Sequence, residues 1–293
     1  MRHPTWDGAD LQFGLHIADF TFDSGPAELG PTLARHVKHA EDAGIQRITV
    51  MDHFWQLPGI GPFEHEMLEA YATLGFLAAH TRKAMLHVLV TGVIYRHPAL
   101  LAKQVSTLNV LSGGRVGLGI GAGWNEQECV GLGFPFSPVA QRFRELEETI
   151  QICRQMWSES EEPYDGAIWQ LGRTLNSPQN VTKPMLMIGG GGEKKTLKLV
   201  AQYADACNLS ALAGVPTGKL DVLRAHCDDV GRDYDTVEKT AMIGVNPEST
   251  VDGVADQVRA LGEAGFTTTY VFSVGIRQPE KVVDLIAGVA AQV

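Results

Sequence analysis

The chain has 293 residues, of which 44% are hydrophobic and 20% charged, and it contains 32 glycines. This composition is that of a globular protein, and it excludes disordered, collagen-like and disulfide-scaffold classes. The formal net charge of -10 makes nucleic acid an unexpected partner, because an acidic surface repels a polyphosphate backbone. No apolar stretch approaches the roughly 20 residues that cross a bilayer, and residues 1–12 lack the apolar core of a signal peptide. We therefore expect a cytoplasmic protein with no membrane partner.

Strand-like apolar runs alternate with amphipathic helical stretches from one end of the chain to the other. Gly44 marks the end of the first predicted helix, and Pro98 marks the start of the third. In the first half the pattern predicts four strand and helix pairs, at 11–20 and 29–43, 47–54 and 67–80, 85–95 and 98–111, and 115–123 and 139–157.

The pattern breaks after the fourth helix. Residues 158–183 form a polar insertion with a short predicted hairpin near 164–171, which we expect to help cover the active site. The alternation then resumes with pairs at 185–189 and 193–203, 206–211 and 216–230, 239–245 and 251–264, and 268–274 and 279–291. Eight units in one domain, residues 1–293, predict an α/β fold, a (β/α)8 TIM barrel with an insertion of about 158–183.

The second predicted strand ends in Asp52 and His53. In such a barrel the active site lies at the C-terminal ends of the strands, and histidine exchanges protons near neutral pH. Adjacent side chains of a strand point to opposite faces, so Asp52 need not touch the His53 ring. His53 is either a catalytic residue or a rim histidine bonded to a backbone carbonyl.

Two glycine-rich segments follow predicted strands. GLGIGAGW, from Gly117 to Trp124, does not match the GxGxxG dinucleotide fingerprint, and both close ligand approach and simple turn geometry remain open for it. The run Gly189 to Gly192, followed by Glu193 and two lysines, joins a strand to a helix and favours phosphate binding by free amides at the helix start. Glu193 could instead interact with the helix dipole without any ligand.

Aromatic residues and cysteines add two further observations. Aromatic side chains gather at the predicted strand ends, where they would suit a large planar ligand, although most barrel aromatics belong to the core. They are Phe20, Phe54, Trp55, Tyr95 and Trp124. The four cysteines show neither paired spacing nor a histidine at ligand distance, so we expect neither a disulfide frame nor a bound metal.

Four segments resemble the bacterial luciferase-like superfamily, and in particular its oxidoreductases that use the deazaflavin coenzyme F420. These segments are VMDHF, VTGVIYRHPALLAKQVSTLNVLSGGRVGLGIGAGW, QRFRELEETIQICRQMW and PMLMIGGGGEKKTLKLVAQYADACNLS. The resemblance covers residues 11–212 and is weaker in the C-terminal third. It implies a TIM barrel with a deazaflavin or flavin at the C-terminal mouth, no metal, and a homodimer.

The resemblance also implies roles for individual residues. Asp52 and His53 match the family's Asp-His pair, in which the histidine transfers a proton near the redox carbon, so His53 is the implied catalytic residue. Val88 and Leu89 match a bulge with a non-proline cis peptide that backs the ring. The other implied cofactor-binding residues are Asp52, Thr91, Ala122, Gly123 and Trp124 around the ring and ribityl chain, Gly189, Gly190, Gly191 and Gly192 at the phosphate, and Lys194 and Lys195 at the anionic tail, unless these lysines face solvent.

The chain departs from the family's sugar-phosphate dehydrogenases at one position. Trp124 stands where they carry an acidic glutamate, and the nearby Asn125, Glu126 and Glu128 are not in the same register. The departure argues against a sugar phosphate as substrate.

Three classes of function follow. The leading hypothesis is an F420-dependent oxidoreductase that transfers a hydride between the deazaflavin and a small organic substrate. The alternative is an FMN-dependent luciferase-like monooxygenase that uses reduced flavin and oxygen. A barrel that binds the coenzyme without turnover is disfavoured by the aromatic, histidine-containing rim.

Overall fold

Strands and helices alternate through residues 11–293, which are the residues that the computed structural model describes. Residues 1–12, which we predict not to form a signal peptide, lie almost wholly outside this range. The strands are β1 (Gln12–Ile17), β2 (Arg47–Val50), β3 (Met85–Val88), β4 (Thr91–Gly92), β5 (Leu118–Gly121), β6 (Tyr164–Asp165), β7 (Gln170–Leu171), β8 (Leu186–Gly189), β9 (Ala206–Ser210), β10 (Glu238–Val245) and β11 (Thr268–Ser273). The helices are α1 (Leu29–Asp42), α2 (Ala70–His80), α3 (Pro98–Leu111), α4 (Glu126–Gly131), α5 (Val139–Met156), α6 (Thr196–Tyr203), α7 (Thr217–Asp229), α8 (Val251–Glu263) and α9 (Pro279–Ala290).

Nine of the strands form one parallel sheet, in the order β3, β2, β1, β11, β10, β9, β8, β5, β4. The sheet closes where Leu86 of β3 bridges to Val116 beside β5. Because β3 and β4 are consecutive pieces of the third strand, the closed sheet has eight strand positions, each followed by a helix. The predicted (β/α)8 barrel is confirmed.

The third strand differs from its prediction as one run over 85–95. It stops at Val88 and resumes at Thr91, with a non-proline cis peptide between Leu89 and Val90. A Cβ at Gly119 would lie 2.2 Å from the Val88 carbonyl oxygen, and one at Gly189 would lie 2.9 Å from Val90 Cγ1. Side chains on the neighbouring strands would therefore displace this bulge.

One helix, α4, was not predicted. The Asn125 side chain caps it by accepting a hydrogen bond from the Glu128 amide. With six residues it completes fewer than two turns, which is too short for its sequence to show a helical pattern of apolar residues.

The barrel interior is partly polar. Arg47, 1% exposed, bonds Glu238 at 2.7 Å and the Tyr270 hydroxyl at 3.2 Å, and Tyr270 in turn contacts His87 Nε2 at 2.8 Å. A Cβ at Gly14 would lie 2.3 Å from the Tyr270 ring, so β1 carries glycine there. The larger apolar core lies between the sheet and its helices.

The insertion packs on the outside of the barrel. Its predicted hairpin is present as the antiparallel pair β6 and β7. The buried Glu148 carboxylate of α5 accepts hydrogen bonds from the amides of residues 167–169, and Asn176 bonds Ser106 of α3. No residue of 158–183 lines the cavity described below, and Trp169 of this segment contacts the His97 ring, with 4.8 Å between centroids.

Candidate active site

A cavity of about 400 Å³ opens at the C-terminal ends of the strands. Its wall combines backbone from glycine-rich strand ends with a few polar side chains, and its volume falls within the range of small-molecule sites. The predicted site residues that line it are Asp52, His53, Leu89, Thr91, Ala122, Gly123, Trp124, Gly189 and Gly190. Those that do not are Val88, Gly191, Gly192, Lys194 and Lys195.

His53 is held by a carboxylate from α4. Its Nδ1 lies 2.9 Å from Glu128 Oε2, which also accepts from the Tyr95 hydroxyl at 2.5 Å. The other carboxylate oxygen, Oε1, accepts from the amides of Phe54 and Trp55 at 2.6 and 2.8 Å. An ionised carboxylate only accepts hydrogen bonds, so His53 Nδ1 carries the proton and the neutral ring keeps its lone pair on Nε2.

Glu128 is fully buried at this contact. Burial alone would raise its pKa, but the hydrogen bonds from His53, Tyr95 and the Trp55 amide bring the pKa below its ordinary value. The carboxylate is therefore charged near neutral pH and stabilises a positive charge on His53. The Trp124 ring stands edge-on to His53, with 5.6 Å between centroids, and is 63% exposed at the mouth.

Asp52 has hydrogen-bond partners different from those of His53, although both residues line the cavity. It accepts from the Gly92 amide at 3.0 Å and from Arg96 Nη1 at 2.7 Å, while Arg96 also bonds Glu69. Burial raises the pKa of Asp52, and Arg96 offsets part of that effect. The Asp52 carboxylate thus ties the end of β2 to β4 beside the cavity.

The bulge at Leu89 and Val90 forms one side of the cavity. Both residues line it, whereas the Val88 side chain packs in the core between sheet and helices. The resemblance implies a cis bond at Val88 and Leu89, whereas the observed cis bond, between Leu89 and Val90, lies one residue further along. Gly121 and Gly189 flank Val90, so peptide groups and small side chains form a surface that a planar ring can approach.

The backbone amides of the glycine loop after β8 differ in whether they donate a hydrogen bond. The Gly190 amide donates to the Asn208 carbonyl at 3.0 Å, whereas those of Gly191 and Gly192 have no acceptor within the described part of the chain. Thr196, the first residue of α6, lines the cavity beside them. Free amides, a hydroxyl and a helix start are the groups that bind a phosphate.

Lys194 and Lys195 lie outside the cavity. They line a shallow groove between α5 and α6 together with Arg144 and Lys198, and Lys195 Nζ stands 5.3 Å from the centre of the Phe143 ring. This groove is a concentration of positive charge on an acidic protein.

Sequence reasoning missed Glu128, Thr196 and His16 as site residues. Glu128 is not in register with the glutamate of the family's sugar-phosphate dehydrogenases, but Asn125 followed three residues later by a glutamate is a capping-box spacing that begins a helix. His16 occupies an inward position near the end of β1. Its signal was the strand alternation of the LHIADF run.

Neither a membrane-spanning helix nor a metal cluster is found in the described residues. None of their helices is long and apolar enough to cross a membrane. No group of three or more histidine, cysteine, aspartate or glutamate side chains within 11–293 is arranged to hold a metal ion. The four cysteines are buried and unpaired, with Cys153 and Cys207 in the core as expected for residues that pack rather than react.

Comparison with known proteins gives one family and several kinds of relative. The family described as luciferase-like monooxygenase matches residues 17–262. An uncharacterized protein of Mycobacterium tuberculosis is 33% identical over 139 residues, which are 47% of this chain and 48% of that protein. The chain thus spans about half the length of that relative.

Two further relatives have named activities. An F420-dependent glucose-6-phosphate dehydrogenase of Kribbella flavida is 23% identical over 252 residues, 81% of this chain and 72% of that protein. The pyrimidine monooxygenase RutA of Acinetobacter baylyi is 30% identical over 207 residues, 68% and 55% of the two chains.

Solved structures share the fold. An F420-dependent secondary alcohol dehydrogenase in complex with an F420-acetone adduct superposes with a TM-score of 0.81 at 18% identity, covering 96% of this chain and 98% of the other. The long-chain alkane monooxygenase LadA superposes with a TM-score of 0.79 at 13% identity, covering 97% and 91%.

Proposed function

The chain belongs to the luciferase-like monooxygenase family, and from that premise we propose that it is an F420-dependent oxidoreductase that transfers a hydride between the deazaflavin and a small organic substrate. One observation carries the proposal: the bulge at Leu89 and Val90 faces the same cavity as His53, whose Nε2 lone pair is free. A redox ring lying against the bulge would have a proton-transferring imidazole beside it. The F420-dependent relative from Kribbella flavida covers more of the chain than the monooxygenase relative does.

The described residues fit such a coenzyme. The deazaflavin would supply two-electron hydride chemistry when bound. The bulge and its glycines would position the ring, and the amides of Gly191 and Gly192 with the Thr196 hydroxyl would hold the phosphate. Lys194 and Lys195 would attract an acidic tail that leaves the cavity at the glycine loop, because their groove is positively charged.

His53 would move the proton that accompanies the hydride. When a substrate alcohol is oxidised, the deazaflavin would supply the acceptor for the C–H hydride and its two electrons, and His53 Nε2 would take the O–H proton. When a carbonyl is reduced, protonated His53 returns that proton to the oxygen. Glu128 stabilises the charged ring in both directions, since its carboxylate is 2.9 Å from Nδ1.

Titration of the purified protein with F420 and, separately, with FMN tests the cofactor, with fluorescence quenching as the measurement. We expect saturable binding of F420 with a lower Kd than that of FMN. Binding of FMN without binding of F420 would contradict the proposal and favour the monooxygenase, which the RutA relative represents.

We further propose a homodimer that acts on its small-molecule substrate in the cytoplasm. The homodimer rests on the resemblance to the luciferase-like oxidoreductases. Light scattering on the purified protein should give twice the mass of one chain.

A further inference from the structure

The end of the cavity opposite the glycine loop contains a second histidine. His16 of β1 lines the cavity and is 4% exposed. Its Nδ1 lies 2.9 Å from Thr49 Oγ1, and the Thr49 hydroxyl donates to the Leu15 carbonyl at 3.4 Å. The Thr49 hydroxyl has one hydrogen, so both contacts are hydrogen bonds only when that hydrogen points to Leu15 and the oxygen accepts from His16 Nδ1–H, which is the arrangement we infer. The neutral ring then keeps its lone pair on Nε2.

This second histidine differs from His53 in its charge. Burial, together with the nearby His53, lowers the pKa of His16 to about 3. Within residues 11–293 no carboxylate contacts the His16 ring, whereas Glu128 contacts His53. His16 therefore stays neutral near pH 7, and its Nε2, which has no partner among the described residues, accepts a hydrogen bond without taking a proton.

Among the described residues that line the cavity, the one carboxylate is that of Asp52, which is paired with Arg96. Asn208 lines the cavity on the side of the glycine loop, and because its amide nitrogen donates to Thr240 Oγ1 at 2.9 Å, its side-chain oxygen is a second acceptor. Met51 and Met242 supply apolar surface. No lysine or arginine is found among the described residues that line the cavity. A carboxylate or phosphate here would meet acceptors and apolar atoms, and its lost hydration would not be replaced.

We propose that His16 is a specificity-determining residue that accepts a hydrogen bond from a hydroxyl or N–H group of an uncharged substrate. The inference rests on the proposed function, since it takes the space beside the coenzyme ring as the substrate site. The two histidines then have separate roles: His16 selects and orients the substrate, and His53 transfers the proton.

Three probes that share a cyclohexyl ring test the proposal in calorimetric titrations of the protein loaded with reduced F420, which cannot accept a hydride from an alcohol. Cyclohexanol has a hydroxyl donor, methoxycyclohexane lacks it, and cyclohexanecarboxylate is an anion. We expect cyclohexanol to bind at least tenfold more tightly than either of the others. In His16→Leu this preference should disappear, while His36→Leu, which removes a buried histidine outside the cavity, should retain it.

Thr49→Val gives a second measurement that leaves His16 in place. Without the Thr49 oxygen the tautomer is no longer fixed, so the preference for cyclohexanol should fall between those of the parent and His16→Leu. Binding of the carboxylate as tightly as the alcohol, absence of alcohol binding, or an unchanged preference in His16→Leu would overturn the proposal. Loss of F420 binding in the fluorescence titration would instead refute the proposed function, and the same probes on the coenzyme-free cavity would still test His16.

Discussion

Both oxygens of the Glu128 carboxylate are committed at the site. Oε1 accepts from two backbone amides after β2, and Oε2 accepts from His53 and Tyr95. The carboxylate therefore fixes the course of the chain after β2, at Phe54 and Trp55, as well as the tautomer of the His53 imidazole. A residue with these contacts acts through His53, and we regard it as a positioning residue.

Glu128→Gln should invert the His53 tautomer. The amide oxygen can still accept from Phe54 and Trp55, which places the NH2 group against His53 Nδ1. That nitrogen must then accept, so Nε2 becomes protonated and presents a donor to the cavity. We expect kcat to fall by about 10- to 1000-fold with F420 affinity retained, and ¹⁵N NMR of the imidazole should show Nε2–H.

Glu128→Asp is the control for the charge. It keeps the acceptor at a shorter reach, so the Nδ1–H tautomer and part of kcat should survive. An ¹⁵N spectrum of Glu128→Gln that still shows Nδ1–H would contradict the tautomer argument, whatever the activity.

His53→Ala tests the proton transfer itself. The change removes the only imidazole that Glu128 contacts among the described residues, but it leaves the bulge and the glycine loop intact. Turnover should fall at least about tenfold with F420 affinity nearly unchanged. The exposed His80, at the end of α2, supplies the control His80→Ala, for which we expect parental turnover. Parental turnover in His53→Ala would reject its role.

At the scale of elements, the glycine loop before α6 has one position suited to a test. Gly190 has a φ of +114°, which disfavours any side chain, and a Cβ at Gly192 would lie 2.7 Å from Thr196 Oγ1. At Gly191 the nearest atom to a Cβ is Lys219 Cε at 3.6 Å, an ordinary contact. A side chain fits at Gly191 without strain.

Gly191→Asp should weaken F420 binding by at least about tenfold, because it places a negative charge where the phosphate would meet free amides. Gly191→Asn, of the same size but uncharged, separates charge from bulk and should cost less. The measurement is Kd by fluorescence quenching, with thermal unfolding to show that both variants fold. Equal Kd values for the parent and Gly191→Asp would show that the loop does not bind phosphate.

The sequence predicted elements best where their boundaries depend on local chemistry. Helix α3 begins at Pro98 and ends before Gly113, whose φ is +70°, and the structure has the predicted bounds. The break after Val88 depends instead on contacts from Gly119 and Gly189, on strands distant in the chain. Glu128 was missed for a related reason, since its four partners belong to two segments, residues 53–55 and Tyr95, that are distant from it in the chain.

At the scale of the whole molecule, the barrel buries several histidines as neutral rings. Burial lowers the pKa values of His16, His36 and His87 to about 3, from an ordinary 6.5. His87 is held by Tyr270 inside the barrel, and His36 lies in α1 against Phe22. In the folded protein these three histidines therefore stay unprotonated at pH values at which they bind a proton in the unfolded chain.

The sign of the resulting pH dependence follows from proton binding. Between pH 6.5 and 3 the unfolded state binds a proton at each of these histidines and the folded state does not, so the free energy of unfolding decreases as the pH falls through that window. Above pH 6.5 both states are neutral and the full stability is present. Each such histidine contributes a slope of up to about 1.4 kcal/mol per pH unit.

His36→Leu should remove the contribution of one histidine to the pH dependence of the free energy of unfolding, because leucine does not titrate. His36 lies outside the cavity, so the change leaves the site in place. Urea unfolding at pH 6 and pH 5, above the ordinary range of glutamate, should show the parent losing about 1 kcal/mol more than the variant over that interval. His80→Leu, at an exposed position, should leave the parental slope unchanged. If the slopes of His36→Leu and the parent coincide, His36 is protonated in the folded state, and burial in this barrel does not keep its histidines neutral.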